Sequence, residues 1–346
     1  MKSSLRFAFV FILLTNGAIA GPPEEGDKFL KWHKEMIGVR LPKKGCFKVV
    51  YPNKEWVEAK CATQHGTYWS GGGGGGFVGS AGNFSAEVTS EHISSAIGSF
   101  DSGLVAGGSG DQPANYSLQL NSQAFDTPAC AGTRDPYRCK GVQQFVYVPT
   151  TIAGAYIQYW LLNYRTADHN VCPEPNDPRK NSNWRPMNKW DCTRYSEFSI
   201  PGPEKPEPIS NLIGLRLGGT AQAGNWDVLT VRTGGQTLHA VNEDNILDLA
   251  DQWRTAEFSV FGNGDATEVE FNPGTTLIVR TSVVNGTTNP PKCVRTHITG
   301  ETNNLMPVEP CCAYGGATPA IVFMLSLDRD AVSPCAPLTT SNPQRE

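Results

Sequence analysis

The sequence predicts an all-β protein: an antiparallel β-sandwich or jelly roll with one short helix and a small N-terminal disulfide module. Nine short runs rich in β-branched and aromatic residues are separated by Gly, Pro, Asn or Asp, as strands and turns are. No helices alternate with these runs, so a parallel sheet with crossover helices is not expected. Ten cysteines in 346 residues are typical of an exported, disulfide-linked domain.

The predicted strands begin beyond the first third of the chain. Most are short, and residues that favour turns separate them. They cover 116–120, 142–148, 155–164, 212–217, 226–232, 237–241, 256–261, 276–284 and 320–327.

The one predicted helix covers 244–253. Ile246, Leu249 and Trp253 fall on one stripe at helical spacing, and Asp244 is of a type that caps a helix N-terminus.

The first 20 residues have the pattern of a secretory signal peptide. Lys2 and Arg6 supply positive charge, 7–14 is an unbroken apolar run, and 18–20 (Ala-Ile-Ala) fits a small-x-small cleavage site. The run is shorter than the roughly 20 apolar residues that a membrane helix requires, and no later segment approaches that length. We therefore expect a secreted, extracellular protein with no membrane span.

Six successive glycines at 71–76 mark a linker, because glycine loses the most backbone entropy on ordering. We expect four parts: a signal peptide at 1–20, an N-terminal arm with the small disulfide module at 21–70, a Gly-rich linker at 71–82 and the sandwich domain at 83–346. The arm is interpreted either as a propeptide or docking segment or as a disordered tether.

The ten cysteines are expected to form disulfides. Three short-range pairs would each close a loop rich in Pro, Gly, Asn or charged residues. These pairs are Cys46 with Cys61, Cys130 with Cys139, and Cys172 with Cys192. The remaining cysteines are Cys293, Cys311, Cys312 and Cys335. Cys311 and Cys312 are adjacent and do not easily bond to each other, so each should reach one of the outer two, in either order.

Composition and motifs exclude several classes of function. No CxxC pair or His–Cys spacing indicates zinc, and we expect no metal and no cofactor. The formal net charge is −4, from 29 basic and 33 acidic residues, which disfavours a nucleic-acid partner. The motifs of zinc proteases, serine hydrolases with a nucleophile elbow, P-loop proteins and EF-hands are absent.

The hairpin of strands 142–148 and 155–164 is the main candidate for a binding surface. Alternate side chains of a strand point to opposite faces, so one face should carry both aromatic rings and glutamine amides. Rings give flat apolar contact, and amides supply donors and acceptors together. We therefore predict a groove that binds an extracellular polysaccharide or an extended polypeptide. Its ligand-binding residues are Tyr156, Trp160, Gln119 and Tyr164, together with the amides of Gln144 and Gln158.

Glu257 is the candidate for acid–base chemistry. It shares a strand face with Ser259 and Phe261, where an acid between aromatic residues can have a raised pKa and act as a base. The alternative is a solvated residue on an outer sheet face. A hydrolase would use Glu257 to activate water and Gln158 or Gln144 to stabilise the oxyanion. A purely structural role at the cell surface is a further hypothesis with no distinguishing residue.

Several short motifs resemble known families. These motifs are 119–121 (QLN), 143–147 (QQFVY), 158–161 (QYWL), 256–258 (AEF), 260–262 (VFG) and 300–305 (GETNNL), with the pair Cys130 and Cys139. As a set, they resemble a family of secreted microbial proteins without a well-defined activity, and the resemblance covers most of the chain from Cys46 onward.

More remotely, the QYW strand and the strand 256–261 (AEFSVF), followed by Phe271, resemble the fungal glutamic peptidases, or eqolisins. That resemblance implies a concanavalin-like sandwich and, as an alternative function, a glutamic-type acid endopeptidase that pairs a Gln with a Glu near the end of an AEWIVE-like strand. Phe261 stands at the matching position here, and Glu257 matches the earlier acid of the motif.

Overall fold

The computed structural model describes residues 28, 31–32, 35–36, 39, 41–62, 83–112, 115–151, 154–166, 171–173, 184–233, 236–243, 245–264, 267–296 and 298–335. The predicted signal peptide and Gly-rich linker lie outside them. The chain divides into two compact units, Met1–Arg40 and Leu41–Glu346. In the first unit, the residues with helical backbone are Lys28, Lys31, Trp32, Glu35 and Met36.

The described part of the second unit forms nineteen strands and four short 3₁₀ helices. The first strands are β1 (Gly45–Val50), β2 (Val57–Ala59), β3 (Asn83–Glu87), β4 (Ser95–Leu104), β5 (Ser117–Ser122), β6 (Lys140–Tyr147), β7 (Ala155–Leu162), β8 (Arg185–Pro186), β9 (Cys192–Tyr195) and β10 (Arg216–Ala221). The others are β11 (Trp226–Thr233), β12 (Gln236–Glu243), β13 (Thr255–Phe261), β14 (Glu268–Val269), β15 (Thr276–Val284), β16 (Lys292–Thr296), β17 (Thr302–Asn303), β18 (Met306–Tyr314) and β19 (Ala320–Ser326). The 3₁₀ helices are Ser109–Asp111, Pro128–Gly132, Ile209–Gly214 and Leu249–Asp251.

Two antiparallel sheets make up the sandwich. The nine-stranded sheet has the order β18-β19-β15-β4-β10-β11-β12-β1-β2, and the eight-stranded sheet has the order β16-β3-β13-β5-β6-β7-β9-β8. A two-stranded parallel pair, β14 and β17, is separate from both. Because β1 pairs with β12, the disulfide module around Cys46 is part of the nine-stranded sheet.

The core lies between the two sheets and follows from alternation along the strands. In β7, Ile157, Tyr159 and Leu161 are buried, while the residues between them are partly exposed. Large rings cross the interface where the facing strand has glycine. A Cβ at Gly98 would lie 1.9 Å from the ring of Phe258, and one at Gly219 would lie 2.4 Å from the ring of Phe145. Glycine at these positions lets the sheets approach each other closely.

The predicted all-β sandwich is confirmed, and β15 coincides with the predicted strand 276–284. Two local predictions are wrong. Half of the predicted strand 212–217 belongs to the 3₁₀ helix Ile209–Gly214, whose Ile209 and Leu212 are buried at helical spacing. The predicted helix 244–253 contains only the 3₁₀ helix Leu249–Asp251, because Asp248 adopts a left-handed conformation (φ 55°) that an α-helix excludes.

Five disulfides link all ten cysteines. The three predicted short-range pairs are confirmed. The sequence left the pairing of the last four cysteines open, and the structure has Cys293–Cys311 and Cys312–Cys335. Each of the two adjacent cysteines therefore bonds to one of the outer two, as expected.

Within the residues that the structure describes, there is no helix with both the length and the apolar character needed to cross a bilayer.

Candidate functional site

A row of polar side chains crosses four neighbouring strands of the eight-stranded sheet. In the strand register, Glu257 of β13 lies opposite Asn121 of β5, Asn121 lies opposite Gln144 of β6, and Gln144 lies opposite Gln158 of β7. We call these four residues the polar row.

The polar row points away from the core. Its sequence neighbours Leu120, Phe145, Ile157 and Phe258 are all fully buried in the hydrophobic core cluster. Alternation therefore directs Glu257, Asn121, Gln144 and Gln158 to the outer face of the sheet.

Hydrogen bonds link three residues of the row, Glu257, Asn121 and Gln144, and continue from Gln144 to Trp160. Asn121 Nδ2 donates to Glu257 Oε2 at 3.0 Å, and Gln144 Nε2 donates to Asn121 Oδ1 at 3.0 Å. Trp160 Nε1 donates to Gln144 Oε1 at 2.5 Å. A side branch continues from Gln144 Nε2 to Gln119 Oε1 at 3.2 Å. Each amide thus acts as donor and acceptor at once, which fixes its orientation.

Glu257 lies at the buried end of the row, with 1% of its surface exposed. Its carboxyl also accepts a hydrogen bond from Thr296 Oγ1 at 3.1 Å and one from the backbone of Ile298. Burial raises the pKa of Glu257, although the hydrogen bonds from Asn121, Thr296 and Ile298 oppose the rise. In the described part of the chain, no Lys, Arg or His forms an ion pair with it.

The other end of the row is open. Tyr156, Gln158 and Trp160 are all partly exposed on the same face of β7. The ring of Tyr156 meets that of Tyr195 edge to face, with centroids 5.1 Å apart. Gln158 Nε2 donates to Thr193 Oγ1 at 3.1 Å. The two ring-bearing positions and the amide between them therefore form a partly exposed strip whose polar atoms are already oriented.

The structure brings most of the predicted site residues together. Gln119, Gln144, Gln158, Tyr156 and Trp160 lie on one face of adjacent strands. Glu257 shares that face, but two strands separate it from Gln158, a distance of roughly 14 Å at the usual strand spacing.

Tyr164 does not lie on this face. The backbone turns at Asn163, which has a left-handed conformation (φ 55°), and alternation ends there. Tyr164 is buried in the core cluster, where its hydroxyl lies 2.6 Å from the position that a Cβ at Gly132 would take.

Asn121 and Thr296 are the members of the network that the sequence prediction missed. Asn121 is two positions from Gln119 on the same strand, so alternation would have placed both amides on one face. Thr296 has no such signal, because β16 reaches Glu257 only through the pairing of both strands with β3.

Metal ligands are not gathered anywhere in the described residues: no three of His, Cys, Asp and Glu form a group that could hold an ion.

No protein-family model matches the chain, and no curated protein matches it. Among solved structures, the chain is similar to Scytalido-glutamic peptidase, crystallised with a peptide-based transition-state analogue. The match has 14% sequence identity and a TM-score of 0.28, and it covers 70% of this chain and 98% of that chain. It is a remote resemblance, and no functional assignment rests on it. The resemblance to the secreted microbial family stays a prediction.

Proposed function

We propose that this protein is secreted and binds an extended polymer, a polysaccharide or a polypeptide, along the polar row. The observation that carries this proposal is the strip of Tyr156, Gln158 and Trp160, which is partly exposed and continuous with a row of oriented amides. The five disulfides support export.

The strip suits an extended ligand for two reasons. Its side chains lie on one strand at every second residue. They therefore form a straight line with a spacing of about 7 Å, along which an extended polymer can lie. Rings present flat apolar area to a sugar face or an apolar side chain, while Gln158 offers both a donor and an acceptor.

The strip is also pre-organised. The indole N–H of Trp160 is held by Gln144, and the amide of Gln158 is held by Thr193. Side chains that are already fixed lose little rotamer freedom when a ligand binds, so less of the contact energy is offset by ordering. Gln119 contributes through Gln144, whose amide it helps to orient.

The test is a pull-down on a panel of insoluble glycans and immobilised unfolded polypeptides, comparing wild type with Trp160→Ala. Loss of a central tryptophan contact is worth about 2 kcal/mol or more, so binding to the preferred ligand should weaken about thirtyfold. Trp190→Ala is the matched control, because Trp190 is 44% exposed and lies outside the row. Equal binding by wild type and Trp160→Ala across the panel would refute the proposal.

A second function, a glutamic-type acid endopeptidase, is favoured by one specific observation. Glu257 has a raised pKa and is linked through Asn121 to the amide of Gln144. In such a reaction the carboxylate takes a proton from water, and the water oxygen attacks the peptide carbonyl carbon. The amide N–H of Gln144, the nearer of the two predicted glutamines, stabilises the oxyanion, and the proton passes to the leaving amine.

A casein assay repeated from acidic to neutral pH separates the two functions. Glu257→Gln keeps the size and polarity of the side chain but removes the base, so a peptidase should lose at least about a hundredfold in rate. Glu268→Gln, at an exposed acid of β14, is the control for the loss of one charge. Equal cleavage by wild type and Glu257→Gln would eliminate this assignment and leave the binding proposal unaffected.

A further inference from the structure

Three arginines line up across the nine-stranded sheet. Arg280 of β15 and Arg216 of β10 both lie opposite Ser99 of β4, and Arg216 lies opposite Arg232 of β11. We call Arg280, Arg216 and Arg232 the arginine row. Neighbouring strands are about 4.8 Å apart, so Arg216 lies about one strand spacing from Arg232 and two from Arg280.

The arginine row points to the outside of the sandwich. The preceding or following residues Val279, Leu217 and Val231 are buried in the core cluster, so alternation directs the arginines to the opposite face. All three are partly exposed. The row therefore lies on the outer face of the nine-stranded sheet, and the polar row lies on the outer face of the other sheet.

Asp101 already forms an ion pair with one member of the arginine row, Arg280. It accepts from Arg280 Nε at 2.6 Å through Oδ2 and from Ser99 Oγ at 3.3 Å through Oδ1. Arg216 forms no ion pair with any residue in the described part of the chain. Its charge is adjacent to two other guanidinium groups in a chain whose net charge is −4.

This arrangement is unfavourable in the unliganded protein. Like charges directly opposite each other on antiparallel strands are destabilising. Burial lowers the pKa of Arg216, although the charge of Asp101 opposes the fall, and burial together with the charge of Arg216 lowers the pKa of Arg232 to about 10. The protonated forms of both side chains are therefore poorly solvated as well as mutually repelled.

We propose that the arginine row binds the sulfate or carboxylate groups of an acidic ligand, with Arg216 at its centre. A guanidinium group donates two parallel N–H bonds to a carboxylate or sulfate, a geometry that lysine does not provide. An oxyanion between Arg216 and Arg232 replaces one repulsion with two attractions. A ligand with repeated acid groups also reaches Arg280, two strands further along.

The experiment measures binding of three probes by calorimetry: dextran sulfate, neutral dextran and sodium sulfate. Wild type should bind dextran sulfate and not neutral dextran, and Arg216→Gln should weaken that binding at least about tenfold. Arg216→Lys keeps the charge and should recover only part of the affinity. Arg138→Gln is the control, since Arg138 is exposed in the Cys130–Cys139 loop attached to the other sheet, and it should change affinity less than about twofold.

A second readout distinguishes binding from a structural role. Because Arg216 is attracted by Asp101 as well as repelled by neighbouring guanidinium groups, Arg216→Gln should remain folded without ligand, with a melting temperature close to that of wild type. Competition by sodium sulfate alone indicates a single-anion site, and its absence indicates that the polymer's repeated charges are needed. Unchanged binding by Arg216→Gln, or an equal loss with Arg138→Gln, would overturn the proposal.

Discussion

The two ends of the polar row lie on the same face of one sheet, yet they differ in exposure. At the deep end, Glu257 and Asn121 are 1% and 0% exposed, and their polar atoms bond to each other and to other groups of the chain. At the open end, Gln158 and Trp160 keep part of their surface exposed. A change at the deep end should therefore alter folding stability, whereas a change at the open end should alter ligand binding.

The largest effect on stability is expected for Asn121→Leu. The substitution keeps the approximate volume but removes a donor to Glu257 and an acceptor for Gln144. Two buried polar groups would then each lose one hydrogen-bond partner, at a combined loss of roughly 2 to 4 kcal/mol in the free energy of unfolding. Urea denaturation gives the value. A loss below about 0.5 kcal/mol would mean that the deep end does not contribute to stability.

The next effect is the pH dependence that Glu257 imposes. Burial raises its pKa in the folded chain, so the folded state binds this proton more tightly than the unfolded state. The stability that results is fully present below the unfolded-state pKa and is lost as the pH rises through the folded-state pKa, by at most about 1.4 kcal/mol per pH unit.

Glu257→Gln removes this dependence. The unfolding free energy of wild type minus that of Glu257→Gln should therefore decrease between about pH 4 and about pH 8. Urea titrations of both proteins across that range give the difference, in which the other titrating groups cancel. A difference that stays constant or increases with pH would contradict a raised pKa.

A smaller effect on stability is expected for Trp160, which connects the open end to Gln144. Trp160→Phe keeps a ring but removes the N–H that bonds to Gln144 Oε1. The loss should be about 1 kcal/mol in unfolding free energy, because one partly buried hydrogen bond is broken. Trp190→Phe, in the exposed loop position, should change stability by less than about 0.5 kcal/mol. Equal losses in both variants would indicate a general effect of replacing tryptophan.

The smallest effect on stability is expected for Gln158→Leu, at the open end. Gln158 donates to Thr193, but Thr193 keeps its own bond to the carbonyl of Tyr159. Unfolding free energy should change by less than about 0.5 kcal/mol, while ligand affinity in the pull-down falls. A loss as large as that of Asn121→Leu would remove the distinction between the two ends.

The sandwich was predictable because alternation and turn residues are local signals. β15, with apolar side chains at every second position, was predicted at its observed bounds. β4 was missed because its sequence, SAIGSFDSGL, is rich in Ser and Gly, which have low strand propensity. Its Gly98 is needed to admit the ring of Phe258 from the facing sheet, a tertiary requirement that no local pattern shows.

The site was predictable in part for the same reason. Alternation placed Tyr156, Gln158 and Trp160 on one face, and the structure agrees. It could not anticipate the left-handed turn at Asn163, which directs Tyr164 into the core. Nor could it show that Asn121 lies between Glu257 and Gln144, since strand order depends on contacts between residues far apart in sequence.

The most direct test of the binding proposal is to map the preferred glycan or peptide on the protein by NMR of side-chain N–H groups. If the ligand lies along the polar row, its addition should shift the indole signal of Trp160 and the amide signals of Gln144 and Gln158, while the indole signal of Trp190 stays in place. Shifts confined to residues outside the outer face of the eight-stranded sheet, with the Trp160 signal unmoved, would contradict the proposal.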